Sequence, residues 1–305
     1  MTVPVLRVFL EQNPDVEVVM VSRKSFSGLF EGVDRLVFHG VDLNDYKGLL
    51  GMRRLFGELA KAYAPECVAD LHDVIRSKIL TFCFRWQGFK TSKINKGKKE
   101  KKKLTDVWNL DKKQLKTTVE RYADVFRTLG FSVELSHELR GGKADKKGIG
   151  FAPFAQHKGK RLPLEKSYEL AKALAQKAPV FFFGGGAEET ALLERWAREI
   201  PNTQSYAGKL TLVEELAKIA ELSVMVSMDS ANMHLASLVG TRCVSVWGAT
   251  HPYAGFLGYG QRLEDVVQVS DLTCRPCSVF GNKACFRGDY ACLNELDISS
   301  VLAKI

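Results

Sequence analysis

Apolar and polar positions along the chain group into blocks that predict strands followed by helices. In the first half, apolar runs that predict β-strands lie at 16–22, 36–38 and 66–71, and helical periodicity is found at 52–63 and 115–129, with a further strand expected at 131–135. In the second half, strands are predicted within 148–155, 179–186, 224–226 and 243–247, and helices at 166–176, 188–200 and 211–220. Strands separated by helices of about 10 to 15 residues predict parallel sheets and an α/β, doubly wound layout in each half.

A segment rich in glycine and charge separates the two halves. Gly141–Gly148 is the best linker candidate of the chain. We therefore expect two domains, residues 1–145 and residues 146–305, and a chain of 305 residues is long enough for both.

The start of the chain departs from this layout. The first residues predict a helix, with Thr2 as its cap and Pro4 in its first turn. A doubly wound domain normally opens with a strand that is central in its sheet. We therefore expect the first domain to lack this strand and its sheet to contain a gap.

The stretch 224–252 carries the strongest functional signal, because it predicts strand, loop, helix and strand with polar residues only at the turns. Asp229, Ser230 and His234 lie where a strand ends and a helix begins. Unpaired N–H groups and the helix dipole favour a phosphate at such a position. The alternative is an ordinary helix cap followed by a structural histidine.

The same stretch resembles the motif of the heptosyltransferase-like glycosyltransferases of family 9. The matching residues are Asp229, Ser230, His234, Gly248, Thr250 and Pro252. The resemblance is strongest over 151–259. It implies an α/β fold of the GT-B class, with two Rossmann-like, doubly wound domains facing a cleft: an N-terminal acceptor-binding domain and a C-terminal domain for the nucleotide sugar.

Further donor-binding residues follow from this resemblance. The segment 151–163 is similar to the family's phosphate loop, so Lys160 would offset the charge of a departing nucleoside diphosphate. Ala155 and Gln156 occupy positions where the family commonly has hydroxyl groups, which puts side-chain contacts to phosphate there in doubt. Leu210 would pack against the base, although a plain core role fits it equally well.

The glycine-rich segment after the strand at 179–183 predicts a different contact. Gly184 and Gly186 suggest a dinucleotide fingerprint, but Glu189 stands where the third glycine belongs, so a dehydrogenase is poorly supported. An acid in the first helical turn would repel pyrophosphate and suits ribose hydroxyls. By resemblance Glu189, or Glu188 if the register slips by one, would hold the donor ribose; two solvated acids at a helix start are the alternative.

The function that the resemblance implies is inverting transfer of a heptose-type sugar from ADP-heptose to a lipopolysaccharide-core acceptor. No metal or other cofactor is required for that displacement. The family's proton acceptor is an aspartate of the first loop, which would precede Met1, so we expect the chain as numbered to be catalytically incompetent. If the base lies within the chain, Asp70, His72 and Asp73 are the next candidates.

The formal net charge of +9 is unevenly distributed. Seven lysines lie within Lys93–Lys103, with Glu100 as the only acid among them. Such a run is either a solvated, mobile loop or a contact with an anionic partner, and an anionic inner-membrane surface is the expected one. Nucleic acid is not expected, because the run lacks the aromatic residues that stack on bases.

Four cysteines follow the motif region and could bind a structural zinc ion. They are Cys274, Cys277, Cys285 and Cys292. Four thiols within this short span can form a tetrahedral site, but their spacing is irregular and free thiols are the stronger interpretation. Two other classes of function stay open: a non-catalytic binder of anions or nucleic acid, and a zinc-stabilised interaction module.

The location expected from the sequence is cytoplasmic and peripheral to the inner membrane. No apolar run reaches the length of about 18 residues that would predict a membrane-spanning helix. The apolar start, Val3–Leu10, is interrupted by Arg7 and has no basic leader or cleavage-like site, so it is not predicted to be a signal peptide.

Overall fold

The computed structural model describes residues 1–141 and 146–305 and divides them into two compact units. Unit 1 comprises Met1–Lys96 and Thr118–Ser136, and unit 2 comprises Gly97–Thr117 and the chain from His137 to Ile305. The units therefore do not follow a single cut of the chain, because 97–117 packs with the second half. Residues 142–145 of the predicted linker, where the predicted domain boundary falls, lie outside the described residues.

Unit 1 alternates helices and parallel strands. Its elements are α1 (Thr2–Gln12), β1 (Val18–Arg23), β2 (Leu36–Val41), α2 (Gly48–Tyr63), β3 (Cys67–Asp70), α3 (Ile75–Trp86), β4 (Lys90–Lys93) and α5 (Thr118–Leu129); α4 belongs to unit 2. Strand β1 pairs with β2 and β3 pairs with β4, each in parallel. The two pairs form separate two-stranded sheets.

Two apolar layers stabilise unit 1. Helix α1 buries Leu6 and Phe9, and the Phe9 ring stacks on Phe126 of α5 with centroids 4.4 Å apart. Helices α2 and α3 bury Leu55 and Phe84 in a second cluster that includes strand residues. Because side chains of both strand pairs contribute to this cluster, one helical layer covers both pairs.

Unit 2 contains a six-stranded parallel sheet in the described residues, with the order β10-β9-β8-β5-β6-β7. Its strands are β5 (Ile149–Ala152), β6 (Val180–Phe182), β7 (Thr203–Ser205), β8 (Val224–Met228), β9 (Cys243–Val246) and β10 (Val266–Val267). Its helices are α4 (Lys98–Leu104), α6 (Leu164–Lys177), α7 (Ala187–Glu199), α8 (Leu212–Ala220), α9 (Ala231–Leu238), α10 (Ala291–Asn294) and α11 (Ser299–Leu302). The chain reverses its direction across the sheet between β5 and β8, which is the position where such folds bind ligands.

The central strands β5 and β8 consist of fully buried residues, because helices cover both faces of a parallel sheet. Helix α8 begins with a capping box in which the Thr211 hydroxyl accepts from the Glu214 amide and the Glu214 carboxylate accepts from Thr211. Helix α9 ends before Gly240, whose φ of +71° is a left-handed conformation that glycine adopts without strain. These local signals place the ends of the helices where the sequence predicts them.

Three regions differ from the sequence expectations. Residues 131–135 form no strand. Residues 98–104 of the lysine run form helix α4 rather than a loop, and the Lys101 side chain is buried with its ammonium 4.1 Å from the centroid of the Phe256 ring. Helix α3 and strand β4 were not expected. Among the described residues, no helix is long and apolar enough to cross a membrane.

Candidate functional site

Three side chains at the carboxyl edge of the unit 2 sheet form a buried polar cluster. Asp229 follows β8 and is 4% exposed, Lys160 follows the loop after β5, and Thr250 follows β9. The Lys160 ammonium lies 2.9 Å from an Asp229 carboxylate oxygen, and the Thr250 hydroxyl donates to the same oxygen at 2.8 Å. The structure therefore brings together residues that are separated by up to 90 positions in the sequence.

The loops that hold this cluster approach each other closely, and glycines make this approach possible. The Ala249 amide donates to the Gly159 carbonyl at 2.8 Å. A Cβ added at Gly248 would lie 2.6 Å from that carbonyl oxygen, and one added at Gly281 would lie 2.6 Å from Cγ of Lys160. Any larger residue at Gly248 or Gly281 would displace the loop or the Lys160 side chain.

A buried arginine organises the loop after β9. Arg275 donates to the carbonyl oxygens of Trp247, Gly248 and Thr250 at 2.5 to 3.1 Å, and also to Val269 and the Gln268 side chain. Burial lowers the pKa of Arg275 to about 10, and nearby cysteine thiols act in the opposite direction. This role of Arg275 was not predicted from the sequence, in which Arg275 stood out only as a basic neighbour of the cysteines.

Ser230 and His234 lie at the start of α9, as predicted, but neither makes a capping hydrogen bond. Ser230 precedes the helix without a side-chain cap, and its hydroxyl lies 3.1 Å from the Ser227 hydroxyl. His234 is in the first turns of α9. Burial is the main reason that its pKa is lowered to about 3, and the positive charge of Lys160 acts in the same direction. A neutral imidazole and the amino end of α9, which has no side-chain cap, therefore lie near Lys160.

The predicted ribose and base contacts lie on other parts of the same sheet edge. A Glu189 oxygen accepts from the Gly185 amide at 3.2 Å, and its other oxygen lies 3.6 Å from the guanidinium of Arg161. Glu188 is exposed, whereas Glu189 is half-buried, so Glu189 is the residue held in place. Leu210 is half-buried immediately before the Thr211 cap of α8.

The cysteine-rich segment contacts the polar cluster, although its metal ligation stays a prediction. All four cysteines are free thiols, and among the described residues no group of three or more histidine, cysteine, aspartate or glutamate side chains is placed to hold a metal ion. Burial raises the pKa of Cys277, and it raises that of Cys292 to about 11. The adjoining Gly281 packs against the Lys160 side chain, so the segment supports this lysine.

Three polar residues, Asp70, His72 and Asp73, lie at the carboxyl end of β3 in unit 1. Asp70 is buried, and it accepts hydrogen bonds from the amides of His72 and Asp73 and from the Ser77 hydroxyl at 2.8 to 3.0 Å. Asp73 has a φ of +45°, and its Oδ1 is buried without a hydrogen-bond partner. The Lys78 ammonium lies 3.4 Å from this oxygen, close enough for an ion pair but without hydrogen-bond geometry. Asp73 thus combines backbone strain with an unsatisfied carboxylate oxygen.

A parallel doubly wound sheet with a buried polar cluster at the carboxyl edge, beside the point where the strand order reverses, defines an α/β fold of the class that binds ligands at this edge. The chain belongs to glycosyltransferase family 9 (heptosyltransferase), whose profile matches residues 52–284. It is a glycosyltransferase with the GT-B fold. The non-catalytic binder and the zinc interaction module considered from the sequence are therefore wrong as the overall function.

Solved structures with the same fold share little sequence with this chain. A family 9 glycosyltransferase from Veillonella parvula DSM 2008 has a TM-score of 0.72 at 17% identity, covering 99% of this chain and 91% of that chain. Escherichia coli heptosyltransferase WaaC with ADP has a TM-score of 0.64 at 18% identity, covering 87% of this chain and 88% of that chain. E. coli ADP-heptose lps heptosyltransferase II has a TM-score of 0.62 at 17% identity, covering 88% of this chain and 86% of that chain. No curated protein matches the chain.

Proposed function

We propose that this glycosyltransferase moves a heptose-type sugar from an ADP-sugar to a glycolipid acceptor of the lipopolysaccharide-core type. The observation that carries the proposal is the cluster of Lys160, Asp229 and Thr250 beside the amino end of α9. A partly buried ammonium at a helix start is suited to a diphosphate, because both contribute positive potential where little water screens it.

Each residue has a distinct role in the proposed reaction. Lys160 stabilises the charge that builds on the departing diphosphate, and Asp229 holds Lys160 in place until the donor arrives. The α9 amides after Ser230 bind phosphate oxygens, and the neutral imidazole of His234 adds no competing charge. Glu189 accepts the ribose hydroxyls, and Leu210 packs against the base. A direct displacement of this kind requires no metal ion.

The donor class is supported by the relatives and by the chemistry of the site. WaaC has been solved with ADP, and the second E. coli relative is described as an ADP-heptose lps heptosyltransferase. An acidic residue at Glu189 favours a ribose with free hydroxyls over a ribose that carries a phosphate, because the phosphate would face a like charge.

The lysine run is proposed as an electrostatic contact with an anionic acceptor surface. Of the run, Lys98, Lys99, Lys102 and Lys103 are exposed on α4, whereas Lys101 is buried. Exposed lysines near an anionic membrane surface contribute about 1 kcal/mol each to binding. The buried Lys101 serves instead to fix α4 through its contact with Phe256.

Calorimetry with ADP tests the donor assignment. We expect Lys160→Ala to weaken ADP binding by roughly 1.5 to 3 kcal/mol, since a charge-assisted phosphate contact typically has this strength. Lys172→Ala is the control, because Lys172 is an exposed lysine paired with Glu169 on α6. Equal ADP affinity in wild type and Lys160→Ala would remove Lys160 from the proposed site.

A further inference from the structure

Helix α3 carries large apolar side chains on two opposite faces. Phe84 is 3% exposed and packs edge-on against Phe56 and Phe89 in the core of unit 1. Ile75, Phe82 and Trp86 are instead exposed to 77, 60 and 79%. A helix that is apolar on its outward face as well as its inward face has the pattern of an interaction surface.

The exposed residues form one continuous stripe. At about 100° per residue, positions 75, 82 and 86 lie within about 40° of one another around the helix axis, with Phe84 on the opposite side. The rings of Phe82 and Trp86 are neighbours, with centroids 6.1 Å apart. This outward face of α3, defined by Ile75, Phe82 and Trp86, is called the α3 stripe below.

The charged side chains of helix α3 itself are all positive, and Lys78 is ion-paired with Asp73 just before the helix. Helix α3 contains Arg76, Lys78 and Arg85, which are exposed, and its sequence IRSKILTFCFRW contains no acidic residue. By helical spacing, Lys78 and Arg85 lie on one side of the stripe and Arg76 on the other. Aromatic and aliphatic side chains flanked by Arg and Lys are typical of helices that lie in a membrane interface.

The neighbouring helix extends the same chemistry. Helix α2 packs against α3, and its first turn exposes Leu49 and Leu50 to 70 and 83%. Arg53 and Arg54 follow in the next turn. Unit 1 therefore offers exposed apolar residues with adjacent cations on two helices that contact each other.

We propose that the α3 stripe binds the surface of an anionic lipid bilayer, with Ile75, Phe82 and Trp86 entering the interface. A second copy of the chain fits less well, because a symmetric contact would bring the basic side chains of two α3 helices together. The chain also carries a formal net charge of +9, which favours an anionic surface. The proposal rests on the proposed function in one respect, which is that a glycolipid acceptor would bring the enzyme to a membrane.

Tryptophan fluorescence with phospholipid vesicles tests the proposal directly. In a Trp108→Phe background Trp86 is the one exposed tryptophan of the described residues, because Trp196 and Trp247 are buried. With vesicles of phosphatidylglycerol and phosphatidylcholine, we expect a blue shift of Trp86 emission and quenching by brominated acyl chains. Vesicles of phosphatidylcholine alone should give much weaker binding. Trp86 emission unchanged at saturating anionic lipid would overturn the proposal.

Variants separate insertion from charge attraction. The triple variant Ile75→Ser, Phe82→Ser, Trp86→Ser should lower the vesicle partition coefficient at least tenfold at high salt, where lysine contacts are screened. The matched control is Val213→Ser with Leu263→Ser, two exposed apolar residues of unit 2. Equal partition coefficients for the triple variant and wild type would contradict the proposal. The proposal would also fail if wild type were a dimer and the triple variant a monomer that still binds vesicles.

Two measurements keep this proposal separate from the proposed function. The triple variant should bind ADP as wild type does, which also shows that it is folded. If wild type binds vesicles through the α3 stripe but does not bind ADP, the donor assignment fails and the membrane surface stands. If replacing Lys98, Lys99, Lys102 and Lys103 with Gln leaves vesicle binding unchanged, only the lysine contact fails.

Discussion

The Lys160 ammonium lies 2.9 Å from the Asp229 carboxylate, and these side chains are 17% and 5% exposed. Removing one partner of such a pair leaves an uncompensated charge that is largely out of water, which costs more than the pair itself contributes. The pair therefore keeps the Lys160 ammonium neutralised at a largely buried position.

The first prediction concerns Asp229. We expect Asp229→Asn to lower the free energy of unfolding by about 2 to 4 kcal/mol, because Lys160 loses its carboxylate partner. The double variant Lys160→Met, Asp229→Asn should lose less than the sum of the two single variants. Urea unfolding of the four proteins gives the coupling energy, and additive losses would show that the pair is not coupled.

A second prediction follows from the carbonyl contacts of Arg275. Replacing Arg275 with Lys keeps the charge but cannot supply the fork of donors that reaches Trp247, Gly248 and Thr250. We expect a loss of about 2 to 4 kcal/mol in unfolding free energy and weaker ADP binding. Arg287→Lys is the control, because Arg287 is an exposed residue of the same segment paired with Asp289. Wild-type ADP affinity in a folded Arg275→Lys protein would separate Arg275 from the site.

The sequence predicted the elements of unit 2 better than those of unit 1, for a physical reason. The buried strands β5 and β8 are continuous apolar runs bounded by turn residues, which is the pattern that single sequences reveal. Helix α3 was overlooked because its apolar residues face both ways and its periodicity is weak. The sequence predicted a loop for the end of the lysine run, whereas the structure has helix α4 there. The helix buries Lys101 against the Phe256 ring, 155 positions away, and no local pattern shows such a contact.

The sequence indicated the members of the polar cluster but not their contacts. Lys160, Asp229 and Thr250 were singled out because each belongs to a short run with family resemblance. The role of Arg275 was not predicted, because it depends on carbonyl groups of another loop. Backbone contacts of this kind leave no pattern in side-chain types along the chain.

The cysteine segment leads to a third prediction, which concerns metal binding. If Cys274, Cys277, Cys285 and Cys292 bind a metal, the purified protein should contain about one zinc or iron ion per chain, since four thiolates favour these metals. Because Gly281 of this segment packs against Lys160, removal of the metal should also weaken ADP binding. Cys67→Ser with Cys83→Ser is the control in unit 1. Metal-free protein with full ADP affinity would leave the cysteines as free thiols.

A fourth prediction is a dependence of stability on pH that originates at His251. Burial above all, together with the charges of Arg275 and Lys112, lowers the pKa of His251 to about 4. Its Nδ1 accepts from the Tyr253 amide at 3.1 Å, and protonation would remove that acceptor.

The unfolded chain binds a proton at His251 near the ordinary histidine pKa of about 6.5, whereas the folded chain does so only near the lowered value. The stabilisation that the neutral His251 contributes to the folded state is therefore complete above about pH 6.5, and it is lost as the pH falls toward about 4. Acidification should therefore lower the free energy of unfolding by about 1 to 2 kcal/mol less in His251→Asn than in wild type. The asparagine side chain can still accept a hydrogen bond from the Tyr253 amide. Urea unfolding at pH 7.5 and 4.5 measures it, with His157→Asn as control. An identical pH dependence in wild type and His251→Asn would contradict the prediction.

The last prediction addresses the proton acceptor. Asp70 uses its carboxylate to hold the loop after β3, through the amides of His72 and Asp73 and the Ser77 hydroxyl. We therefore expect Asp70→Asn to act mainly on stability. Asp73 differs, because its Oδ1 has no hydrogen-bond partner and its φ of +45° is strained. Such strain is found at functional sites more often than elsewhere.

If Asp73 is the base, Asp73→Asn should lower the rate of sugar transfer by about 10²- to 10⁴-fold, the usual contribution of general-base catalysis, while ADP affinity stays unchanged. Asp34→Asn, at an exposed position of unit 1, is the matched control. Transfer at the wild-type rate by Asp73→Asn would exclude Asp73 as the base, because the asparagine amide cannot accept the proton.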